Sequence, residues 1–241
     1  MKKKPLTIIL IFNFIALFAQ NNIITINYSS SLDDSKNPYG AVDFKIGTLI
    51  TDGKTSLYSE RNIDTTLVLM DGDVMTFEKN DFIYNYSKNL VDKIILYKDR
   101  NIDMSNVIKD TTYKIDWEIT GNFKEVMNYN CQEAICDFRG RKFKAYFLKD
   151  IPYADGPFKF QGLPGIILEV ISEDGAVKIT AHEISIDKDK IVYPFKDVKK
   201  FISYEDSIKL YQLKFDKVKN YQPDENVSVS IPNRFIEIYA K

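Results

Sequence analysis

The strongest constraint on the fold of this chain is a repeated pattern of short apolar or alternating runs joined by Asp-Gly pairs. AVDFKIGTLI precedes Asp52-Gly53 and KTSLYSE, TTLVLM precedes Asp71-Gly72 and DVMTF, and GIILEVIS is linked through Asp174-Gly175 to AVKITAHEISI. Asp-Gly between apolar runs is a strong hairpin signal, because tight hairpin turns favour residues that tolerate positive φ. Each pair therefore predicts a β-hairpin with positive φ at both turn residues, and together they predict a sheet-rich fold.

A fourth hairpin is predicted where Arg139-Gly140 separates CQEAICDF from RKFKAYFL. Side chains alternate between the two faces of a strand, so each arm has one apolar face. We expect these faces to meet in the core; they comprise Ala134, Cys136 and Phe138 on one arm and Phe143, Ala145 and Phe147 on the other. The opposite faces carry Glu133, Asp137 and Lys144 and are predicted to be wetter.

One amphipathic helix is predicted near residues 203–219. Ser203, with Asp206 three residues later, resembles a capping box with the shorter acid. Four apolar residues then follow at helical spacing on one stripe: Ile208, Tyr211, Phe215 and Val218. The other side is rich in lysine, so we expect this helix to lie against a sheet.

Length and composition fit a single mainly β domain. The chain has 241 residues, of which 44% are hydrophobic, and all-β domains commonly run to roughly 200 to 250 residues as one unit. No repeat, low-complexity tract or linker marks a boundary, so we expect one domain over residues 20–241. The predicted fold is an antiparallel sheet, either a curved half-barrel or sandwich-like, with one helix.

The first 19 residues have the parts of a secretory signal peptide: three lysines, a short apolar run and a small residue, Ala19, before Gln20. The run is shorter than the roughly 20 apolar residues that span a bilayer, so no retained membrane span is expected. The sequence predicts an exported protein of the periplasm or cell envelope that begins near Gln20. Loss of three lysines lowers the basic count from 33 to 30 against 34 acids, which argues against nucleic acid as a partner.

The two cysteines and the single histidine do not form a recognisable catalytic motif. Cys131 and Cys136 lie in one predicted strand, about 16 Å apart on opposite faces at 3.3 Å per residue, so we expect two free thiols. His182 is predicted at a half-exposed strand position, away from the face of Val177, Ile179 and Ala181. A Cys131–His182 pair and a calcium site at Asp71-Gly72-Asp73 are weaker interpretations. We predict no catalytic residue, cofactor or metal ligand.

The segment GPFKFQGLPGIILEV raises a separate question, because it holds two turn signals wrapped around apolar side chains. Leu163-Pro164-Gly165-Ile166 fits a type II turn, which predicts positive φ at Gly165. Pro157 to Phe160 alternates aromatic residues with a lysine and predicts a short edge segment. The favoured interpretation of the motif is structural. The alternative is a binding lip made by Tyr153, Phe158, Phe160, Gly162, Leu163, Pro164 and Gly165.

A family resemblance spans most of the chain. It rests on YNCQEA, on FRGRKFKAYFLKDIPYADGPFKFQGLPGII and on IPNRFIE, with GKTSLY upstream. In this order the chain resembles the GLPGLI family of exported proteins of Bacteroidetes, although Ile166 replaces the hallmark leucine and Tyr146 stands where the family tends to have tryptophan. The resemblance implies no assigned activity and no catalytic residues. The expected architecture is also similar to the half-barrel of periplasmic lipoprotein carriers, a likeness of architecture alone.

Three functions remain open from the sequence. The first is a non-enzymatic binding or carrier module whose concave sheet face holds an apolar or peptide-like ligand. The second is a structural or interaction subunit of an envelope complex that uses sheet edges or the GLPG lip. The third is an unrecognised hydrolase. A deep apolar groove would favour the first, a filled core the second, and clustered acids in a cleft the third.

Overall fold

A computed structural model of the chain describes residues 22–33, 41–68, 74–78, 82–99, 102–187, 190–220 and 236–238. The predicted signal peptide and the Asp71-Gly72-Asp73 turn lie outside these residues. The described strands, in chain order, are β1 Ile23–Asp33, β2 Ala41–Thr51, β3 Thr55–Val68, β4 Val74–Glu78, β5 Ile83–Asn89, β6 Ile94–Asp99, β7 Asp103–Asp110, β8 Glu118–Val126, β9 Tyr129–Phe138, β10 Arg141–Leu148, β11 Ile166–Ser172, β12 Val177–Asp187 and β13 Phe201–Ser203. Helix α1 spans Tyr204–Lys219.

All described strands belong to one open, mostly antiparallel sheet. Its order is β13-β7-β6-β5-β3-β2-β1-β12-β11-β10-β9-β8, with β4 paired to β3 beside this path. The short β13 pairs with β7 in parallel, and the other pairs are antiparallel. The predicted mainly β fold with one helix is confirmed.

The predicted hairpins form, but the turn geometry differs from the prediction. Strand pairs β2–β3, β3–β4 and β11–β12 are all antiparallel neighbours. Gly53 and Gly175 have φ of 80° and 76°, whereas the preceding aspartates are not in the left-handed region. Asp52 and Asp174 instead accept backbone hydrogen bonds through their carboxylates, from Thr55 and Ala176. Of the predicted hairpin turns that the structure describes, Arg139-Gly140 alone has positive φ at both residues.

The β9–β10 hairpin packs its predicted apolar faces into the core. All six predicted apolar residues are buried: Ala134, Cys136, Phe138, Phe143, Ala145 and Phe147. Asp137 and Lys144 on the opposite face are exposed as expected. Glu133 is a correction, because it is buried. Neighbouring polar side chains surround it, as described below.

Helix α1 begins where the sequence predicts. The backbone N–H of Asp206 donates to Ser203 Oγ over 3.0 Å, and Ser203 Oγ donates to the Asp206 carboxylate over 3.0 Å. Tyr211 is buried, Ile208 and Phe215 are half-buried, and Lys209 is exposed. The helix contacts β7 and β13, so its apolar stripe covers one end of the sheet.

One face of the sheet, called the inner face, carries a ladder of buried tyrosines. Tyr28, Tyr58, Tyr86 and Tyr97 lie on β1, β3, β5 and β6 with successive ring centroids 6.1, 6.1 and 5.5 Å apart. A Cβ at Gly47 would lie 2.7 Å from Tyr58 Cζ, so glycine there makes room for the ring. Ala181 on β12 pairs with Tyr28, so the inner face continues toward β9 and β10.

The segment between β10 and β11, residues 151–165, crosses this inner face and is called the strap. It is tied to the start of β11, where Ile166 N donates to Ile151 O and Ile167 N donates to Asp155 O. Residues 157–160 form a buried turn closed by Phe160 N on Pro157 O, with φ of 51° at Phe158. The predicted edge segment is therefore wrong, because both of its rings and its lysine point into the protein.

The type II turn predicted at Leu163-Pro164-Gly165-Ile166 is also wrong. Gly165 does not have positive φ; the left-handed glycine is Gly162, at 94°. Gly165 N donates to Leu163 O over 2.8 Å, a three-residue turn. Glycine is needed at 165 because a Cβ would lie 2.8 Å from the Leu148 carbonyl carbon and 3.0 Å from Lys149 Cα. The cause is close backbone approach, not the sign of φ.

We predict that Gly165→Ala destabilises the protein by at least about 2 kcal/mol, because rigid backbone must move to admit the methyl group. Gly162→Ala is the matched control: its Cβ would meet only Trp117 at 4.0 Å. It should cost only about 1–2 kcal/mol, the penalty of a left-handed alanine. Chemical denaturation of both variants measures the difference. A smaller loss at 165 than at 162 would contradict the close-approach explanation.

Candidate functional site

A buried ion pair fixes the first half of the strap. Lys88 on β5 and Asp155 on the strap are both fully buried and form a salt bridge. Lys88 Nζ also donates to Gly156 O over 2.6 Å, and Gly156 N donates to Asp155 Oδ1 over 2.8 Å. Burial lowers the pKa of Lys88, and the carboxylate opposite offsets part of that effect. These contacts hold Phe158 against Tyr86, with ring centroids 4.9 Å apart.

A second buried cluster fixes the other half of the strap. Lys159 Nζ lies 3.0 Å from Glu237 Oε2 and 3.5 Å from Asp110 Oδ2. Arg139 at the β9–β10 turn contacts the same two carboxylates at 2.7 and 2.8 Å. Lys159 Nζ also lies 4.0 Å from the Tyr97 ring centroid. Burial lowers the pKa of Lys159, with the Glu237 charge opposing it.

The two basic and two acidic groups of this cluster balance in charge and are largely enclosed. Burial raises the pKa of Asp110, but the charges of Lys159 and Arg139 outweigh that effect and hold the pKa below its ordinary value. Charges satisfied by one another inside a protein organise structure and offer nothing to a substrate. We therefore assign both ion sites to the anchoring of the strap.

The residues of the candidate binding lip separate into buried and exposed groups. Tyr153, Phe158 and Phe160 are 8%, 4% and 0% exposed, so their rings pack inside the protein. Leu163 and Gly165 are buried too, whereas Gly162 and Pro164 lie at the surface. Trp117 Nε1 donates to Gln161 O over 2.8 Å and holds this exposed turn against the chain before β8.

The cysteines and His182 lie far from forming a nucleophilic pair. Both thiols are buried and free, which confirms the prediction that they are not bonded to each other. Burial raises the pKa of Cys131 to about 11 and that of Cys136 to about 12, so neither is a thiolate at neutral pH. His182 is exposed on β12. Two strands lie between β12 and β9, about 14 Å at the usual strand spacing.

The opposite face of the sheet, called the outer face, has an open groove at the β8 end. The groove encloses about 510 Å³ and includes five carboxylates and two lysines among its lining side chains. These are Asp116, Glu118, Glu133, Asp137, Glu173, Lys142 and Lys144. The lining carries five negative and two positive groups, a net charge of −3 if all are ionised. Lys114, which pairs with Asp116, reduces this to −3 + 1 = −2, so the groove still favours a positively charged ligand.

Glu133 forms the floor of the groove as a fixed anion. Its carboxylate accepts hydrogen bonds from Asn122 Nδ2 at 2.9 Å, Thr120 Oγ1 at 3.0 Å and Tyr146 OH at 3.0 Å. These bonds, led by that of Asn122, outweigh burial and hold the pKa of Glu133 below its ordinary value. The group is therefore a charged, oriented acceptor at neutral pH.

An irregularity in β8 aims two of these donors. Ile119 pairs with Ala134 and Phe123 with Gln132, so four residues of β8 span two of β9. The extra residues bow β8 outward and place Thr120 and Asn122 over Glu133. Bulges commonly re-aim side chains in this way. The sequence does not predict the buried Glu133, because an acid on the polar face of a strand is expected to lie in solvent. The nearby Thr120-Gly121-Asn122 run is the one sequence feature that points to its hydrogen-bond donors.

Within the described ranges, no group of three or more histidine, cysteine or acidic side chains is arranged to hold a metal ion. The groove carboxylates therefore line a surface without converging on one point. The helix of the described residues is also too short and too polar to cross a membrane.

Comparison with known protein families identifies a short matching region. Residues 138–169 match an uncharacterised family. The description of this family is "Protein of unknown function (Porph_ging)". The match runs from the end of β9 through β10 and the strap into β11, so the region that anchors the inner face is the region held in common. No curated protein matches the chain.

Similarity to solved structures is distant. PNGF-II aligns in two crystal forms, C2 and P21, with TM-scores of 0.44 and 0.45 and identities of 11% and 12%. Each alignment covers 79% of this chain and 33% of that chain. MucB in complex with MucA(peri) aligns with a TM-score of 0.30 and 8% identity, over 76% of this chain and 56% of that chain. The chain thus spans about a third of PNGF-II, and these similarities carry no argument about function.

We predict that Lys88→Met destabilises the protein by about 3–5 kcal/mol, because it leaves the Asp155 carboxylate buried without a counter-charge. Adding Asp155→Asn removes that charge and should restore part of the loss. Lys114→Met is the control, since Lys114 and Asp116 form an ion pair with side chains 81% and 82% exposed; it should cost less than about 1 kcal/mol. Equal losses at Lys88 and Lys114 would argue against an anchored strap.

The lowered pKa of Glu133 predicts a pH-dependent contribution to stability. A carboxyl whose folded pKa is depressed stabilises the fold above its ordinary pKa, here 4.5, and loses that contribution as pH falls through the folded value. The stability advantage of wild type over Glu133→Gln should therefore be constant near neutral pH and shrink below pH 4.5. Denaturation midpoints across this range test it; a difference that does not change with pH would contradict the assignment.

Proposed function

We propose that this protein is an exported, non-enzymatic interaction module of the GLPGLI type that binds a positively charged, extended segment of an envelope partner in the outer-face groove. The observation that carries the proposal is the fixed Glu133 carboxylate at the floor of an open groove lined by four further acids. Charge complementarity then selects a basic ligand.

The inner face is a poor site for an apolar ligand. Phe158 of the strap packs against Tyr86 of the ladder and Phe160 against Phe143 of β10, and both rings are buried. Lys88 and Lys159 carry charges into the same space, each already paired. A filled interior favours the interaction subunit over the carrier, so we assign the strap a structural role and leave Gly162 and Pro164 as exposed surface.

Acids in a groove also raise the question of hydrolysis. A general acid at neutral pH needs a raised pKa, as a carboxyl gains in an apolar pocket. Glu133 has a lowered pKa because three donors stabilise its charged form. It is suited to hold a cation and unsuited to donate a proton, which favours binding over catalysis.

The proposal predicts selective binding of lysine-rich peptides over glutamate-rich peptides of the same length, measured by fluorescence anisotropy at two salt concentrations. Glu118→Lys, within the groove lining, should weaken binding about tenfold or more, a change of 1.4 kcal/mol. Glu125→Lys is the matched control, because it makes the same charge change at an exposed β8 position outside that lining. Affinity should also fall with added salt.

Two results would overturn the proposal. One is the absence of any preference for basic peptides over acidic ones. The other is equal weakening by Glu118→Lys and Glu125→Lys, which would mean that overall charge, and not the groove, attracts the peptide.

A further inference from the structure

Strand β8 is the last strand at its end of the sheet in the part of the chain that the structure describes, where its outer edge has no partner strand. Among the described residues it pairs only with β9. Edge strands present unpaired backbone N–H and C=O groups, and an extended peptide that adds to such an edge satisfies them. The groove lies directly beside this edge, since Glu118, Thr120 and Asn122 of β8 are among its lining residues.

The two faces of β8 differ in chemistry. On the outer face Glu118, Thr120 and Asn122 border the acidic groove. On the inner face Ile119 and Phe123 are 45% and 56% exposed. Ile119 belongs to the inner face because it pairs with the buried Ala134. The edge therefore has an acidic side and an exposed apolar side.

The irregularity in β8 preserves this alternation. Two extra residues lie between Ile119 and Phe123 relative to β9, and an even insertion returns the chain to the same face. Gly121, between them, adds no side chain on the inner face and has open space around it. Within the irregularity, Thr120 Oγ1 already accepts from Asn122 N at 3.1 Å and Thr120 O accepts from Gln132 Nε2 at 2.8 Å. An added strand would therefore take its backbone hydrogen bonds from the regular part of β8, residues 123–126, with its own side chains in period two.

The lysine of this edge does not block it. Edge lysines commonly prevent unwanted strand pairing. Lys124 instead forms a salt bridge with the buried Glu169 and lies 4.9 Å from the Tyr146 ring centroid. Its charge is thus drawn across the outer face toward β10 and β11, away from the edge.

We propose that the partner's segment adds to β8 as an extra strand in which basic and apolar residues alternate. This inference rests on the proposed function of the groove. Basic side chains of the segment point to the outer face and reach across β8 toward Glu118 and the groove, and the intervening apolar side chains lie beside Ile119 and Phe123. Backbone hydrogen bonds to the β8 edge fix the register, and the two faces of the strand specify the sequence pattern.

The test compares three capped octapeptides on the full-length protein: strictly alternating lysine and valine, the same residues as one lysine block and one valine block, and alternating glutamate and valine. The first should bind about tenfold more tightly than the second, the factor given by 1.4 kcal/mol, and the third should not bind. Hydrogen exchange should show new protection of β8 backbone amides with the first peptide.

Variants distinguish strand addition at β8 from binding in the groove alone. Phe123→Ser should weaken the alternating basic peptide and leave the block peptide unchanged, whereas Leu213→Ser, which alters a residue 60% exposed on α1, should affect neither. Equal affinity for the alternating and block peptides, with both weakened by Glu118→Lys, would overturn strand addition and retain the groove. Binding without protection of β8 would also overturn strand addition. Failure of every basic peptide to bind would overturn both.

Discussion

The burial of two charged lysines, Lys88 on β5 and Lys159 on the strap, governs the rest of this structure. Lys88 and Lys159 are fully buried, and an isolated ammonium group in such surroundings is too costly to persist. Each lysine therefore requires a nearby carboxylate. Asp155 of the strap pairs with Lys88, and Lys159 of the strap lies against Asp110 and Glu237. With those pairs formed, Phe158 lies against Tyr86, and Phe160 lies against Phe138 and Phe143.

Because the strap covers the inner face, the proposed recognition site lies on the outer face. The strap leaves its rings and lysine inside, so the proposed partner site is the groove at the β8 end of the sheet. Around the strap, buried lysines are paired with carboxylates, whereas in the groove carboxylates exceed the lysines. Glu133 of the groove is held by neutral donors, which stabilise its charge without cancelling it.

Local patterns in the sequence predicted the strands, the hairpins and the helix, but not the geometry of the Asp-Gly turns or of the strap. The hairpins, the apolar faces of β9 and β10 and the cap of α1 depend on neighbouring residues, so periodicity and turn chemistry identify them. Gly165 was chosen correctly for the wrong reason, because its requirement comes from the Leu148 backbone, which no turn pattern reveals. Lys88 and Glu133 were missed as structural elements for the same cause: their partners lie 67 and 11 to 13 residues away.

The cluster around Lys159 also sets an order of events in synthesis. Glu237 lies 78 residues after Lys159 and 98 after Arg139, and a chain emerges from its N-terminal side first. Lys159 and Arg139 therefore share Asp110 alone until residue 237 has emerged. The ion cluster that fixes the second half of the strap is therefore complete only when the last described segment is present.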